Sequence, residues 1–264
     1  MASPSHAGQD EGVAIVTCHR DNYGREVTYT SDFPIFYVTV DIAIFTIRDD
    51  ELCVLLVRRK GEPFQGALAL PGGFVGPDEA LMDAARRELG EETGVTDVVL
   101  EQLATYGDPR RDPRGRVVSV AHVAVLPRQV EPRAGSDASA ALWVPVVPLL
   151  AGRRQVAFDH RRILADALER VRAKLEYTTL ATAFVAEEFT LSELRHVYEV
   201  VWGADFDAGN FQRKMRRTED FIVETGRTKP SPVGRGRPAA TFVARVPGVH
   251  PLGSPITRAE PQRG

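Results

Sequence analysis

The fold is decided by one stretch of the chain: Gly73-Phe-Val-Gly-Pro-Asp-Glu79, then residues 80–86, then Arg87-Glu-Leu-Gly-Glu-Glu-Thr-Gly94-Val95. Pro71-Gly-Gly73 interrupts the strand pattern that comes before it. The apolar spacing that follows predicts a helix from about Asp78 to Glu92, which Gly94 ends. The stretch therefore predicts a strand, a glycine turn and an amphipathic helix in direct succession.

Three glutamates of this helix, Glu88, Glu91 and Glu92, are spaced i, i+3 and i+4. At 3.6 residues per turn they lie on the same side as the apolar residues, within an arc of roughly 100°. Carboxylates crowded on a buried stripe repel each other and lose hydration, and Arg87 can pair with only part of them. A hard divalent cation, Mg²⁺ or Mn²⁺, would offset the excess charge. The alternative is an acidic helix face exposed to solvent.

The whole stretch resembles the Nudix box, G-x5-E-x7-R-E-U-x-E-E-x-G-U with U apolar, at all nine defined positions. The resemblance implies an α/β Nudix fold, a mixed sheet sandwiched between helices, and hydrolysis of a nucleoside diphosphate derivative. It implies that Glu88, Glu91 and Glu92 bind the metal, that Glu79 assists them, and that Arg87 orients the glutamates. The general base in such proteins often lies outside the box, and Glu131 and Asp137 are candidates for it.

A second stretch, Gly107–Arg116, holds four arginines before a strand. Arginines near a phosphate site could bind phosphate or ribose groups. The segment resembles the one after the box in Nudix proteins that act on ADP-ribose, although it could also be an exposed turn. Together with the glycine turn, it gives the predicted substrate-binding set: Gly72, Gly73, Arg110, Arg111, Arg114 and Arg116.

Composition narrows the class of protein. The 264 residues are 43% hydrophobic and 26% charged, with a net charge of −3, as in soluble globular proteins. No run approaches the roughly 20 apolar residues of a membrane span. Asp10 and Glu11 stand where a signal peptide would be basic, so a cytoplasmic protein is expected. Cys18 and Cys53 are too few for a disulfide framework or a structural zinc site.

The pattern divides the chain into four segments. Residues 1–30 are predicted to be a loose N-terminal segment, and residues 31–176 to form the Nudix domain with a last helix from about Asp159 to Glu176. Residues 177–246 are expected to form a small α+β domain. Residues 247–264 hold four prolines and few apolar residues, so disorder is predicted there.

The small domain begins with a capping box, Thr190-Leu-Ser-Glu193, which predicts a helix start. The next helix, from about Asp207 to Thr218, carries one basic face, and two strands then flank a basic loop. Residues 206–246 hold nine basic and four acidic residues. This order predicts a winged helix-turn-helix whose basic helix enters the major groove. The predicted DNA contacts are Asn210, Arg213, Lys214, Arg217, Arg235 and Arg237.

A Nudix domain followed by this tail resembles the Nudix-related transcriptional regulators of NAD metabolism. The resemblance implies a homodimer on an operator in double-stranded DNA, controlled by ADP-ribose or a related nucleotide, with no membrane partner. The intact carboxylate set favours hydrolysis with Mg²⁺, and the basic helix and wing favour DNA binding. Both activities together are the leading hypothesis. The alternative is a plain ADP-ribose pyrophosphohydrolase whose tail does not bind DNA.

Overall fold

The computed structural model describes residues 14–20, 26–31, 36–96, 98–127, 131–132, 138–230 and 238–257. Its N-terminal strands are β1 (Ala14–Arg20) and β2 (Glu26–Ser31), which pair antiparallel with each other. A loose segment was expected here. β-branched residues such as Val16, Thr17 and Val27 recur in both strands, and they favour a pleated ribbon.

The first domain is built around one mixed sheet. Its strands are β3 (Tyr37–Arg48), β4 (Glu51–Arg59), β5 (Leu68–Ala69), β6 (Gly72–Phe74), β7 (Glu101–Tyr106), β8 (Val117–Val125) and β9 (Ala138–Pro145). β3 pairs parallel with β8 and antiparallel with β4 and β6, and β9 extends the sheet beside β4. The turn at Asp49 and Asp50 has positive φ at both residues, which joins β3 to β4 in a tight hairpin.

Helices cover both faces of this sheet. They are α1 (Leu81–Thr93), the short α2 (Val146–Leu150) and α3 (His160–Tyr177). Helix α1 ends at Gly94, whose φ of 69° is left-handed, as predicted for that glycine. The Nudix fold expected from the box, a mixed sheet between helices, is confirmed.

The second domain holds a 3₁₀ helix (Thr179–Phe184), β10 (Phe189–Thr190), α4 (Leu191–Trp202), α5 (Ala208–Arg217), β11 (Ile222–Lys229) and β12 (Ala239–Ala244). The capping box at Thr190 is present, with both reciprocal bonds formed. The strands pair in the order β10, β12, β11. Three helical segments and a three-stranded sheet with a terminal hairpin form the expected winged helix.

One hydrophobic core runs through both domains. It includes Phe45 of β3, Leu168 of α3, Phe184 of the 3₁₀ helix and Tyr198 of α4, all buried. At the α3–α4 contact, Arg172 donates to the carbonyl of Val201, and the Trp202 indole donates to the carbonyl of Arg172. The winged helix is therefore packed on α3 rather than tethered to it.

The segment Pro247–Thr257 is ordered, so the disorder predicted for residues 247–264 is wrong over this part. Ile256 is buried in the shared core, and Leu252 packs against it. These two apolar residues give the proline-rich segment a surface to bury. The average composition of the segment does not reveal that its few apolar residues meet the core. Residues 258–264 lie outside the described part of the chain.

The shared core predicts that both domains unfold together. Phe184→Ala should lower the free energy of unfolding by about 3–5 kcal/mol, the usual cost of emptying a buried phenylalanine site. Trp143 lies in β9 and Trp202 in α4, so each domain carries its own fluorescent probe. Phe184→Ala is made in a Trp143→Phe background, where Trp202 reports, and in a Trp202→Phe background, where Trp143 reports. The substitution should lower the denaturation midpoint by the same amount in both. A shift seen only through Trp202 would contradict a single cooperative core.

Candidate functional site

Arg87 organises the acidic face of α1. Its guanidinium donates to Glu79 at 2.7 and 3.0 Å, to Glu88 at 2.8 Å and to Glu91 at 3.1 Å. It also donates to the carbonyl of Phe74 at 3.2 Å. The hydrogen bonds from Arg87, together with the Gly76 N–H, hold the pKa of Glu79 below its ordinary value. The structure thus brings four of the predicted site residues, Glu79, Arg87, Glu88 and Glu91, into one ion-pair network.

The glycine turn fits closely against this face. A Cβ atom on Gly73 would lie 2.3 Å from the Glu88 carboxylate, and one on Gly72 would lie 2.1 Å from the carbonyl oxygen of Val40. The Gly72 N–H donates to Glu92 at 3.0 Å. Gly72 therefore needs glycine, because an added Cβ would meet backbone, whereas a Cβ at Gly73 would push the Glu88 carboxylate aside.

Glu92 carries the least compensated charge of the set. Burial raises its pKa to about 7, and repulsion from Glu88 and Asp41 adds to this, against the hydrogen bond from Gly72. Burial also raises the pKa of Glu88, although Arg87 opposes the rise. Two half-buried carboxylates of one helix thus stand at the foot of the turn, and within the described residues Arg87 forms an ion pair with Glu88 of these two.

The three predicted metal ligands do not converge. Within the described residues, no three His, Cys, Asp or Glu side chains are grouped closely enough to hold a metal ion. Glu91 is exposed and turned to Arg87, whereas Glu92 lines the cleft. The donors still suit a hard divalent cation, because all are carboxylate oxygens and their charge exceeds that of Arg87. The residues thus fit the group in chemistry, and a cation would draw them together.

Beside Glu92 a cleft of about 220 Å³ opens, and Gly72 and Gly73 line it. Its other walls carry Arg59, Arg114 and the ring of Phe158. The Arg114 guanidinium lies 4.9 Å from the ring centre of Phe74 and 5.3 Å from that of Phe158. Aromatic faces and guanidinium groups together suit a ligand that has both a flat ring and phosphates.

Arg111, predicted to bind substrate, is buried and already engaged. It donates to Asp159 at 2.7 and 3.0 Å and lies 3.4 Å from Asp41. Asp159 comes directly before α3, so Arg111 ties the Gly107–Arg116 loop to the start of that helix. Arg111 thus lines the cleft while its guanidinium is held by Asp159 and Asp41.

Asp41 and His160 form the floor of the cleft. The Leu70 N–H donates to His160 Nδ1 at 2.9 Å, so the proton is on Nε2, which faces Asp41 Oδ1 at 3.2 Å. Burial alone raises the pKa of Asp41, but its interactions with His160, and then with Ser119 and Arg111, lower it to about 2. Asp41 therefore stays ionised within a fully bonded buried network.

Other predicted residues lie away from the cleft. Arg110 is exposed and outside the lining. Arg116 donates to the carbonyl of Gly107 and sits over the ring of Phe36. Glu131, a candidate general base, pairs with Arg48 at 2.6 Å and does not line the cleft. Asp137, the other candidate, lies outside the described residues.

The sequence reasoning missed several cleft residues, namely Asp41, Arg59, Phe158 and His160. Asp41 gave one usable signal, because it is the charged residue inside the apolar strand β3. A charge at such a place is costly unless it is paired, and so often marks a site. Phe158 and His160 gave no signal, since tertiary packing alone brings the start of α3 to the sheet.

The predicted DNA-binding face forms on α5. Phe211 and Met215 are buried, and Asn210, Arg213 and Arg217 are exposed on the other side. Lys214 is half-buried, and its ammonium donates to Ser254 at 2.7 Å. Arg213 donates to Asn210. These four predicted residues thus share one face, whereas Arg235 and Arg237 lie outside the described residues.

Carboxylates hold the wing and the basic helix in place. Arg216 of α5 donates to Glu224 of β11 at 2.7 Å and lies over the ring of Phe242. Arg227 of β11 donates to Glu188 at 2.6 and 3.2 Å. The first ion pair joins the basic helix to β11, and the second joins β11 to the residue before β10.

Two families match the chain. Residues 38–167 match the NUDIX domain, and residues 181–243 match the NrtR DNA-binding winged helix domain. The chain is 36% identical over 214 residues to the ADPR responsive transcriptional repressor NtrR of Acinetobacter baylyi, across 80% of this chain and 83% of the repressor. The chain belongs to the NrtR family.

Further relatives agree with this assignment to the NrtR family. The crystal structure of Shewanella oneidensis NrtR complexed with a 27mer DNA matches with a TM-score of 0.70 and 33% identity, over 83% of this chain and 99% of that one. The ADP-ribose pyrophosphatase of Methanocaldococcus jannaschii is 38% identical over 147 residues, 54% of this chain and 83% of the enzyme. No helix in the described part of the chain is long and apolar enough to cross a membrane.

The raised pKa of Glu92 predicts a pH-dependent stability. The pKa of Glu92 is about 7 in the folded protein, whereas an ordinary glutamate pKa of 4.5 applies to the unfolded chain. This contribution is therefore present at low pH and is lost as the pH rises through 7. Between pH 5 and 8 without metal, wild type should lose on the order of 2–3 kcal/mol relative to Glu92→Gln.

Urea unfolding of both proteins across this pH range measures the difference. Equal pH profiles would mean that Glu92 titrates as an ordinary exposed carboxyl. Glu91→Gln is the matched control, because its side chain is exposed, and its profile should follow wild type.

Proposed function

We propose that this protein is an ADP-ribose-responsive DNA-binding repressor whose Nudix cleft senses the nucleotide and whose winged helix binds the operator. The observation that carries the proposal is the packing of an NrtR-type winged helix, with a basic face on α5, onto the Nudix domain through one hydrophobic core. The Acinetobacter relative is an ADPR responsive transcriptional repressor, which supports the proposal. A tail that does not bind DNA would need neither the winged helix nor its basic face.

The cleft suits ADP-ribose through its chemistry. Phe158 and Phe74 provide aromatic rings for a base, with the guanidinium groups of Arg59 and Arg114 lying over them. Arg114 pairs with Asp112 at 2.7 Å, and a pyrophosphate would compete with Asp112 for this guanidinium. The Gly72–Gly73 backbone allows a phosphate to approach closely. Arg110 and Arg116 lie on the outer part of the same loop, where they remain candidates for contacts with the rest of the ligand.

Glu88, Glu91 and Glu92 are the residues that would hold Mg²⁺. When bound, the metal would neutralise phosphate charge and activate water for attack on phosphorus. Arg87 forms ion pairs with Glu88 and Glu91, and Glu79 keeps Arg87 in place. The Methanocaldococcus pyrophosphatase supports hydrolysis as a second activity of the same cleft.

A homodimer is part of the proposal. Phe36, Tyr37 and Phe74 leave a cluster of exposed rings beside the cleft, and such patches commonly mark interfaces. Winged helices on a palindromic operator require two copies at a fixed spacing. Light scattering of the purified protein gives the mass directly.

The basic face of α5 is predicted to contact DNA phosphates. Replacing both Arg213 and Lys214 by Ala should weaken binding to a duplex selected from a random library by wild type. It should also lower the slope of log affinity against log salt by about 2, because two phosphate contacts are lost. ADP-ribose should still raise the melting temperature of the variant.

Arg86 and Arg153 provide the matched control. Both are exposed and lie in the Nudix domain, so replacing this pair by Ala removes the same charge far from α5. DNA binding should then stay close to wild type. Equal losses in the two double variants would mean that DNA affinity reflects net charge rather than this helix.

Hydrolysis is tested by separating products. With ADP-ribose and Mg²⁺, we expect AMP and ribose 5-phosphate, and EDTA should abolish them. Gly73→Ala should lower the rate by about a hundredfold, because the new Cβ displaces Glu88. Glu88→Gln should do the same. Gly61→Ala is the control, since this glycine lines the cleft with open space around it.

A protein that binds ADP-ribose but forms no product would be a sensor only. The repressor proposal would then stand without the enzymatic one. If ADP-ribose neither binds nor reacts, the cleft assignment itself is wrong.

A further inference from the structure

The segment Pro247–Thr257, here called the strap, lies outside both family matches, which end at residues 167 and 243. It runs back from the wing to the junction between the two domains. Ile256 is buried in the shared core with an exposed fraction of 3%, and its neighbour Thr257 is exposed. The strap is therefore anchored by a specific side chain.

Backbone hydrogen bonds join the strap to the end of α3 and to the start of the 3₁₀ helix. The N–H of Ile256 donates to the carbonyl of Glu176 at 2.9 Å, and that of Leu252 donates to the carbonyl of Tyr177 at 2.7 Å. Thr179 donates to the carbonyl of His250 at 2.9 Å, and its hydroxyl accepts from the His250 N–H. The strap thus closes over residues 176–179, the link between the two domains.

The same strap touches the basic face of α5. The Lys214 ammonium donates to the Ser254 hydroxyl at 2.7 Å, and Ser254 lies between the two anchoring residues Leu252 and Ile256. A side chain proposed to contact DNA is therefore held by a segment whose own position is set at the domain junction.

The other end of α3 begins at the cleft. His160 and Arg111 line it, and Asp159, directly before α3, accepts from Arg111. An 18-residue helix spans roughly 27 Å, so α3 connects the cleft to the strap as one rigid element. Rigid helices with contacts at both ends are among the elements that carry coupling between sites.

We propose that the strap transmits the ligand state of the cleft to the recognition helix α5, through α3 and the Ser254–Lys214 contact. This rests on the proposed function, because it needs a protein whose DNA affinity responds to ADP-ribose. The strap is thus a regulatory part of this chain in addition to its two matched domains.

The experiment measures coupling as the ratio of DNA dissociation constants with and without ADP-ribose. It uses the full chain, a duplex selected by wild type from a random library, and EDTA to prevent hydrolysis. Wild type should give a ratio of about ten or more, within the usual range for coupled sites. Ile256→Asp should lower the ratio to below about twofold, with ADP-ribose affinity in the absence of DNA unchanged.

Two further variants make the result specific. Thr257→Asp adds the same charge at the exposed neighbouring position and should keep the wild-type ratio. Ser254→Ala leaves the core intact and should lower the ratio about threefold, which is within the range by which a single substitution changes the coupling between two sites. If Ile256→Asp does not bind ADP-ribose, this variant has failed to fold, and the ratio measured for Ser254→Ala then tests the proposal by itself.

Wild-type ratios in both Ile256→Asp and Ser254→Ala would overturn the proposal. The proposal would also be overturned if these variants failed to bind DNA in the absence of ADP-ribose while still binding ADP-ribose. The strap would then be a structural part of the winged helix. A ratio of one in wild type itself would instead refute the proposed function. The two failures are thus told apart by the wild-type measurement.

Discussion

The apolar stripe of α3 is the contact on which the rest of the structure depends. Leu164, Leu168 and Val171 of that stripe are buried in the core that both domains share. On its other side, Arg170 and Lys174 pair with Glu101 of β7, and Asp166 accepts from the Tyr106 hydroxyl. The helix is thus held to the sheet by burial and by these polar contacts, and to the winged helix by burial in the same core, so it cannot move without changing both.

Charge is distributed unevenly around the cleft. The carboxylates of α1 exceed the cations near them, whereas Asp41 on the floor of the cleft is bonded to Arg111, Ser119 and His160. A paired buried network holds its geometry, and an unpaired one favours binding of an ion or ligand. This difference explains why the Asp41 floor can be rigid while the Glu92 wall is open to a partner.

Much of the fold could be predicted from the sequence, because the signals were local. The helix carrying the box, its glycine end, the capping box of α4 and the two faces of α5 all follow from spacing within one or two turns. Arg111 was assigned to substrate because its sequence neighbours are arginines, yet its partners Asp41 and Asp159 are 70 and 48 residues away. The strap was missed for the same reason, since Ile256 finds its core only in three dimensions.

The strap also bears on how the protein is made. A chain folds its N-terminal domains first as it leaves the ribosome. Residues 36–246 can therefore form both domains before Ile256 emerges, and the junction at residues 176–179 is closed only once the strap has been made. A nascent chain halted shortly before Leu252 would hold both domains without the strap between them, so the strap is the last of these three parts to be assembled.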